Sequence, residues 1–496
     1  MTAPKRDVVV IGAGLGGISA AISLAQKGYP VAVYEKNDRI GGKLNLHTEQ
    51  GYTFDLGPSI LTLPHYFQRL FERSGKDMAD YIPLRPLRPH WRNFFEDGTV
   101  VNLFPEEDRM REEADKLDPA LYPAVRSFLA YCARQYDTIE RGYFEKGLDT
   151  VGEFVRFYEP TVVFKFDFLR TMHRAVSRRI PNRYLRDIFD FFAKYVGSSP
   201  YDAPAMMNCL PTIQFRYDLW YVDGGMYNIA VGLGKLMSEL GIAVHLDSEV
   251  TEIRRDGDRV SGVVINGTDV RDAGIVVSNM EVIPAYERLL KEDRAFLRRL
   301  EKFEPACSGL VLDLGLDCKY DQLAHHNFFF SGSQKDHFDS VFHKKVLPED
   351  PTVYLVAASQ TDPTVAPAGC DCLKILPHIP YIQSERPYEP SDYEALKNRL
   401  LDKLERMGLT DLRKHVVVEH MWTPHDIRER YYSNRGSIYG VVSDLKKNMA
   451  FKAPKQSTRY ANLFFAGGSV NPGAGMPMVI LCGQNVAEKV AQWDRA

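Results

Sequence analysis

The chain has 496 residues, 45% of them hydrophobic, and a formal net charge of −3. That length suits a multi-domain globular protein with an ample core, and the slightly acidic balance argues against a nucleic-acid partner. The seven cysteines show no C-x-x-C pair and no zinc spacing, so they read as free thiols in a reducing compartment, with no metal site expected.

Residues 1–7 are short and polar, so no secretory signal is expected before the first strand. Residues 7–11 are an apolar, β-branched run of the kind that forms a buried parallel strand. The run ends in Gly12-x-Gly14-x-x-Gly17, followed by Ile18, Ala21, Ile22 and Leu24 at helical spacing. Gly12 permits the tight turn, Gly14 lets backbone approach a pyrophosphate, and Gly17 lets helix and strand pack closely. Helix N-terminal amides, those of Gly16 among them, would face the phosphates. A second strand, 31–35, ends in Glu35, about twenty residues on, where a ribose hydroxyl would sit; Lys36 follows it. Then comes Arg39-Ile40-Gly41-Gly42-Lys43, which resembles the second flavin fingerprint of amine-oxidase-like flavoproteins and turns the reading from NAD to FAD.

Residues 52–55 read as a short strand running into Gly57-Pro58-Ser59, and 64–73 as a helix. Asp97-Gly98 marks a hairpin between residues 91–95 and 99–103. From about 106 to 219 the pattern is mostly helical, punctuated by prolines. Within it, 154–195 interleaves Phe154, Phe157, Tyr158, Phe164, Phe166, Phe168, Phe189, Phe191, Phe192 and Tyr195 with nine lysines and arginines against four acids. That composition fits an anionic bilayer surface, and equally a helical subdomain with its own aromatic core. Strands are expected near 243–246, 250–253, 260–265 and 274–279, a mixed strand and helix region over 307–454, and a helix at about 391–407. No apolar run reaches the roughly eighteen residues of a membrane span.

Near the end stands Ala466-Gly467-Gly468-Ser469-Val470-Asn471-Pro472-Gly473-Ala474-Gly475-Met476-Pro477-Met478. It resembles the flavin-closing segment of the bacterial carotenoid desaturases and oxygenases, as do Phe54 to Ser59 and Leu323 to His326; the resemblance spans essentially the whole chain. Desaturases of that family usually carry His-Pro-Gly where this chain has Asn471-Pro472-Gly473. The variant here, with 195–204 and 433–440, is similar to the branch that oxidises terminal methyl groups of linear C30 carotenoids to aldehydes.

The resemblance implies an α/β chain with a Rossmann-type FAD-binding domain in three segments, 1–75, 220–300 and 455–496. It implies a mixed-sheet substrate domain at 76–105 and 301–454, and a helical, membrane-facing subdomain at 106–219. It implies FAD held by Gly12, Gly14, Gly16, Gly17, Glu35, Lys36, Gly41, Gly42, Lys43, Gly57, Pro58, Ser59, Val250, Gly468, Ser469, Gly475, Met476 and Pro477. It also implies a linear carotenoid substrate, a lipid bilayer surface as partner, and a peripheral place on the cytoplasmic side of a bacterial membrane. Candidate catalytic groups are few. Asn471 can orient water, oxygen or an aldehyde, or can simply cap a turn; His325 is a proton relay, a tunnel wall or a structural histidine. A desaturase on the same fold, and a flavin-less prenyl-lipid chaperone, are the competing functions.

Overall fold

The computed structural model describes residues 5–159, 162, 166–167 and 169–495. Its first layer is a five-stranded, wholly parallel sheet in the order Leu463–Phe465, Ile275–Ser278, Val8–Ile11, Val31–Tyr34, Ala243–His245. The two central strands, Val8–Ile11 and Ile275–Ser278, are buried along their whole length, as their unbroken apolar runs require. Helix Leu15–Gln26 covers the sheet and packs on the C-terminal helix Met476–Trp493. The two approach so closely that a Cβ on Gly483 would stand 2.5 Å from the Ala20 amide. A three-stranded antiparallel sheet, 250–256, 259–265 and 269–272, sits beside this layer.

The second layer is a larger sheet ordered Val416–Trp422, Val311–Leu316, Asp371–Ile379, Val353–Ala357, His326–Phe329, Trp91–Phe94, Val100–Leu103. Its pairings are antiparallel except that of His326–Phe329 with Trp91–Phe94. The period-two rule divides its faces. Leu312, Leu314, Leu316, Leu373 and Ile375 pack against helix Pro390–Arg406 through Leu396, Leu400 and Leu404. The alternating residues Val311, Lys374 and Leu376 face a cavity between the two layers. Strand Asp371–Ile379 escapes a pattern search because Lys374, Pro377 and His378 break its apolar run.

Residues 106–219 are predominantly helical, from Glu107–Leu117 and Tyr122–Ile139 to Leu210–Tyr217. No helix among the described residues is long and apolar enough to cross a membrane. Over 154–195 the sequence allows a bilayer surface or an aromatic core, and the described side chains divide between exposed and buried. Phe189, Phe191 and Phe192 are at most 1% exposed, and Lys194 lies buried among the rings of Trp91, Tyr195, Phe328 and Tyr354. Arg179 stacks on Tyr131 and Arg183 is bonded to Asp97. Among the described residues of 106–219, the exposed large apolar side chains are Val151 just before the stretch and Val155, Phe157 and Leu169 near its beginning, the last 95% exposed. Phe164, Lys165 and Phe168 lie outside the described residues. Aromatic content alone does not tell a core from a surface, because rings satisfy either environment.

Candidate functional site

The cavity opens at the C-terminal ends of the parallel strands, where open α/β sheets bind ligands. Strand Val8–Ile11 turns at Gly12 (φ +89°) into helix Leu15–Gln26, whose first amides have no intrahelical acceptor. Two glycine fingerprints stack on each other there. Gly41 N–H donates to Ala13 O at 2.7 Å, and a Cβ on Gly42 would stand 2.9 Å from Gly14 Cα. A Cβ on Gly14 would stand 2.4 Å from Asn279 Oδ1. Backbone thus meets backbone at Gly42, Asn279 closes over Gly14, and the glycines keep their own side chains out of a cavity of about 330 Å³ that the helix N-terminus borders.

At one end of that cavity lie Glu35, Lys36 and Val250. Glu35 is nearly buried; its Oε2 accepts the Ala13 N–H at 2.7 Å and its Oε1 accepts both N–H groups of Asn37. The carboxylate therefore ties the phosphate loop to the second strand. Lys36 stretches over the Tyr432 ring, 3.8 Å from its centroid. In the middle, Lys43 Nζ donates to Glu281 Oε1 and to Ser437 O, closing the wall with the 433–440 segment. At the far end are Gly57, Pro58, Gly468, Gly475 and Met476. Gly475 (φ +107°) caps helix Met476–Trp493, with Pro477 in the first turn, so the positive end of that helix points to this end of the cavity.

Four residues of the implied cofactor set lie outside the cavity wall. Gly17 packs against the strand-end backbone, where a Cβ would stand 2.2 Å from Gly12 O, and this is its helix–strand role. Ser59 Oγ accepts from Lys374 Nζ at 3.2 Å, Ser469 Oγ accepts the Val282 N–H, and Pro477 lines a neighbouring pocket. The two catalytic candidates are also displaced. Asn471 is fully buried, and its amide is spent on the protein: Oδ1 accepts from Tyr143 Oη (2.6 Å) and Lys452 N–H (2.9 Å), while Nδ2 donates to Asp149 O and Lys452 O. It has no free group to orient a ligand. His325 lies away from the cavity, with Nδ1 bonded to Thr361 Oγ1, and burial pushes its pKa down to about 3. A relay near neutral pH needs a group that can take the proton, and this one stays neutral.

Sequence reasoning misses other wall residues. Asn279 sits one residue past its strand and bridges to Ala466 O. Lys374 is buried in the cavity wall and donates to Gly57 O as well as Ser59; burial lowers its pKa against the pull of Asp313 and Asp55. A lysine inside an apolar run was the available signal. Trp422 comes from the end of a strand of the second sheet, Tyr431 from the helix Pro424–Tyr431 that follows it, and Tyr439 from the 433–440 segment. A second, apolar pocket shares Ala474, Gly475 and Met476 with the cavity and is lined by Ile60, Leu63, Ile139, Phe144, Met206, Met207, Leu210 and Ile213.

An elongated cradle with a bare helix N-terminus in its middle, an acid at one end and a second helix N-terminus at the other fits FAD in its donors and its lack of side chains. Fold and site together define a flavin-dependent oxidoreductase. The family model of the flavin-containing amine oxidoreductases matches residues 15–310. The chain is 55% identical to a 4,4'-diapolycopene oxygenase of Methylomonas sp and 49% identical to a 4,4'-diaponeurosporene oxygenase of Staphylococcus aureus (strain USA300), in each case over 98% of both chains. An oxidoreductase structure from Methanosarcina mazei superposes with a TM-score of 0.65 at 14% identity, covering 97% of this chain and all of the other, and so shares the fold. The chain belongs to the flavin-containing amine oxidoreductases and, within them, to the family of bacterial carotenoid desaturases and oxygenases.

Proposed function

We propose that this enzyme is an FAD-dependent carotenoid oxygenase that converts the terminal methyl group of a linear C30 carotenoid to an aldehyde. The observation that carries the reading is the junction at Ala474–Met476, where the flavin-type cavity meets an apolar pocket walled by aliphatic, aromatic and methionine side chains. Such walls suit a long polyene end and offer it few polar contacts. The two relatives named above supply the choice of chemistry, since both carry oxygenase names over the full length of the match. Bound flavin supplies the redox chemistry; the chain's own residues bind the dinucleotide and shape a dry approach to it. The cofactor domain is read as 1–75, 220–300 and 455–496, with substrate elements at 76–105 and 301–454. Strands of the one parallel sheet come from each of the three cofactor segments, which supports that division.

We read 106–219 as the face toward the bilayer, on the cytoplasmic side. Val151, Val155, Phe157 and Leu169 stand exposed beside the exposed Arg156, Arg174 and Arg178, a combination suited to anionic lipid. The test of function is expression in cells that accumulate the C30 hydrocarbon carotenoid, followed by mass analysis of the pigment. Gain of an oxygen with loss of two hydrogens per oxidised end supports the reading. Loss of hydrogen alone would make the protein a desaturase.

A further inference from the structure

Two buried lysines precede the closing segment, and they are held differently. Lys455 Nζ pairs with the Asp149 carboxylate and donates to Asn471 O, which satisfies a buried cation in the usual way. Lys452, 5% exposed, lines the apolar pocket, and its ammonium has no carboxylate partner among the described residues. Among the described residues its one side-chain hydrogen bond runs to Ser443 Oγ at 3.0 Å, which leaves two of its three N–H donors without a partner there. A desolvated amine without a counter-ion is costly, and burial pulls its pKa down to about 8. Groups of this kind concentrate where a ligand completes them.

The closing segment is built around this side chain. Gly473 (φ +122°) leaves the space that the Lys452 stem fills; a Cβ there would stand 2.6 Å from Lys452 Cε. Asn471 holds the lysine backbone from both sides, accepting its N–H and donating to its carbonyl, and Tyr143 Oη fixes Asn471 in turn. The pocket shares Ala474, Gly475 and Met476 with the flavin-type cavity.

A hydrocarbon end group has no use for a cation. Its first oxidation product carries an oxygen, and in an apolar pocket that oxygen needs a donor. We propose that Lys452 Nζ, together with Ser443 Oγ, receives the oxygen of the partly oxidised carotenoid end, hydroxyl or aldehyde, and that Asn471 is the positioning residue for Lys452. This rests on the function proposed above and adds a subsite that keeps the half-oxidised end beside the flavin until the aldehyde is made. The contact is a hydrogen bond from an ammonium, and no covalent step is involved.

The experiment uses purified, flavin-loaded enzyme and two probes in detergent micelles: a linear C30 carotenoid with one terminal aldehyde, and its parent hydrocarbon. An ammonium donating to the carbonyl moves the polyene absorption of the bound aldehyde to longer wavelength. Wild type is expected to show that shift; Lys452→Met should abolish it and Lys452→Arg should retain it. The affinity for aldehyde relative to hydrocarbon should fall about tenfold in Lys452→Met, the range of a lost charged hydrogen bond, and several-fold in Ser443→Ala, which serves if the methionine variant loses its flavin. Asn471→Ala should weaken the shift while keeping flavin; an intact shift in that variant overturns its positioning role. An unchanged absorption maximum and affinity ratio in both Lys452→Met and Ser443→Ala overturns the subsite. If wild type oxidises no carotenoid end in cells, the function falls and the subsite with it; if it does so while those variants behave like wild type, the subsite alone falls.

Discussion

The glycine cradle and the helical stretch 154–195 differ in how their sequences relate to their structures. In the cradle, Gly41 and Gly42 meet other backbone directly, Gly14 meets Asn279 Oδ1, and Gly57 sits where a Cβ would overlap Lys43 O. Such contacts accept one residue type, so the sequence must show it. In the helical stretch, Phe157 is exposed and Phe189 fully buried, though both are phenylalanines spaced among arginines. Many residue types tolerate either environment, so the pattern leaves the choice open. Close backbone approach is written into a sequence; side-chain burial is written into it only where periodicity is long and clean.

The largest expected effect attacks the cradle. Gly14→Val should abolish flavin binding, read as loss of the flavin absorption from purified protein. Gly28→Ala is its control: that glycine also has positive φ (+81°), but nothing lies within 4 Å of the added Cβ, so flavin should remain. Flavin bound equally to both variants would break the contrast.

The next effect divides the helical stretch. Phe192→Ala removes a fully buried ring and should cost about 3–5 kcal/mol in denaturant unfolding. Leu169→Ala removes a side chain that is 95% exposed and should change stability by no more than about 0.5 kcal/mol. Similar costs at the two positions would mean that the division into core and surface is misplaced.

A smaller effect sharpens the same division. Val155→Asp with Leu169→Asp should weaken sedimentation with anionic vesicles roughly tenfold, since both remove exposed apolar area and add like charge. Unchanged sedimentation at low salt would remove 151–169 from the membrane proposal.

The smallest concerns Asp313, on the cavity side of the second sheet opposite Lys374. Burial pushes its carboxyl up to about 7, Lys374 pulls it down, and Asp55 raises it. A carboxyl whose pKa is higher folded than unfolded stabilises the protein while protonated, and that contribution is lost as pH rises from about 4 through 7. Asp313→Asn should therefore flatten the fall in unfolding midpoint between about pH 5 and pH 7.5; the wild-type slope persisting in the variant would place the titration elsewhere.

The sequence by itself determined the dinucleotide turn, the second glycine fingerprint and the hairpin at Asp97-Gly98. These are local: a turn, a close approach or a helix start is specified by residues within a few positions of one another. Tertiary structure alone decided what Asn471 and Lys452 do. Asn471 stands out in a motif and reads as a group aimed at the reacting end, yet its partners are Tyr143, Asp149 and Lys452, the first two more than 300 residues away in the chain. Lys452 looks like a solvated lysine until the segments around it close and remove water. Hydrogen-bond saturation and desolvation depend on neighbours brought from distant parts of the chain, and no spacing in the sequence encodes them.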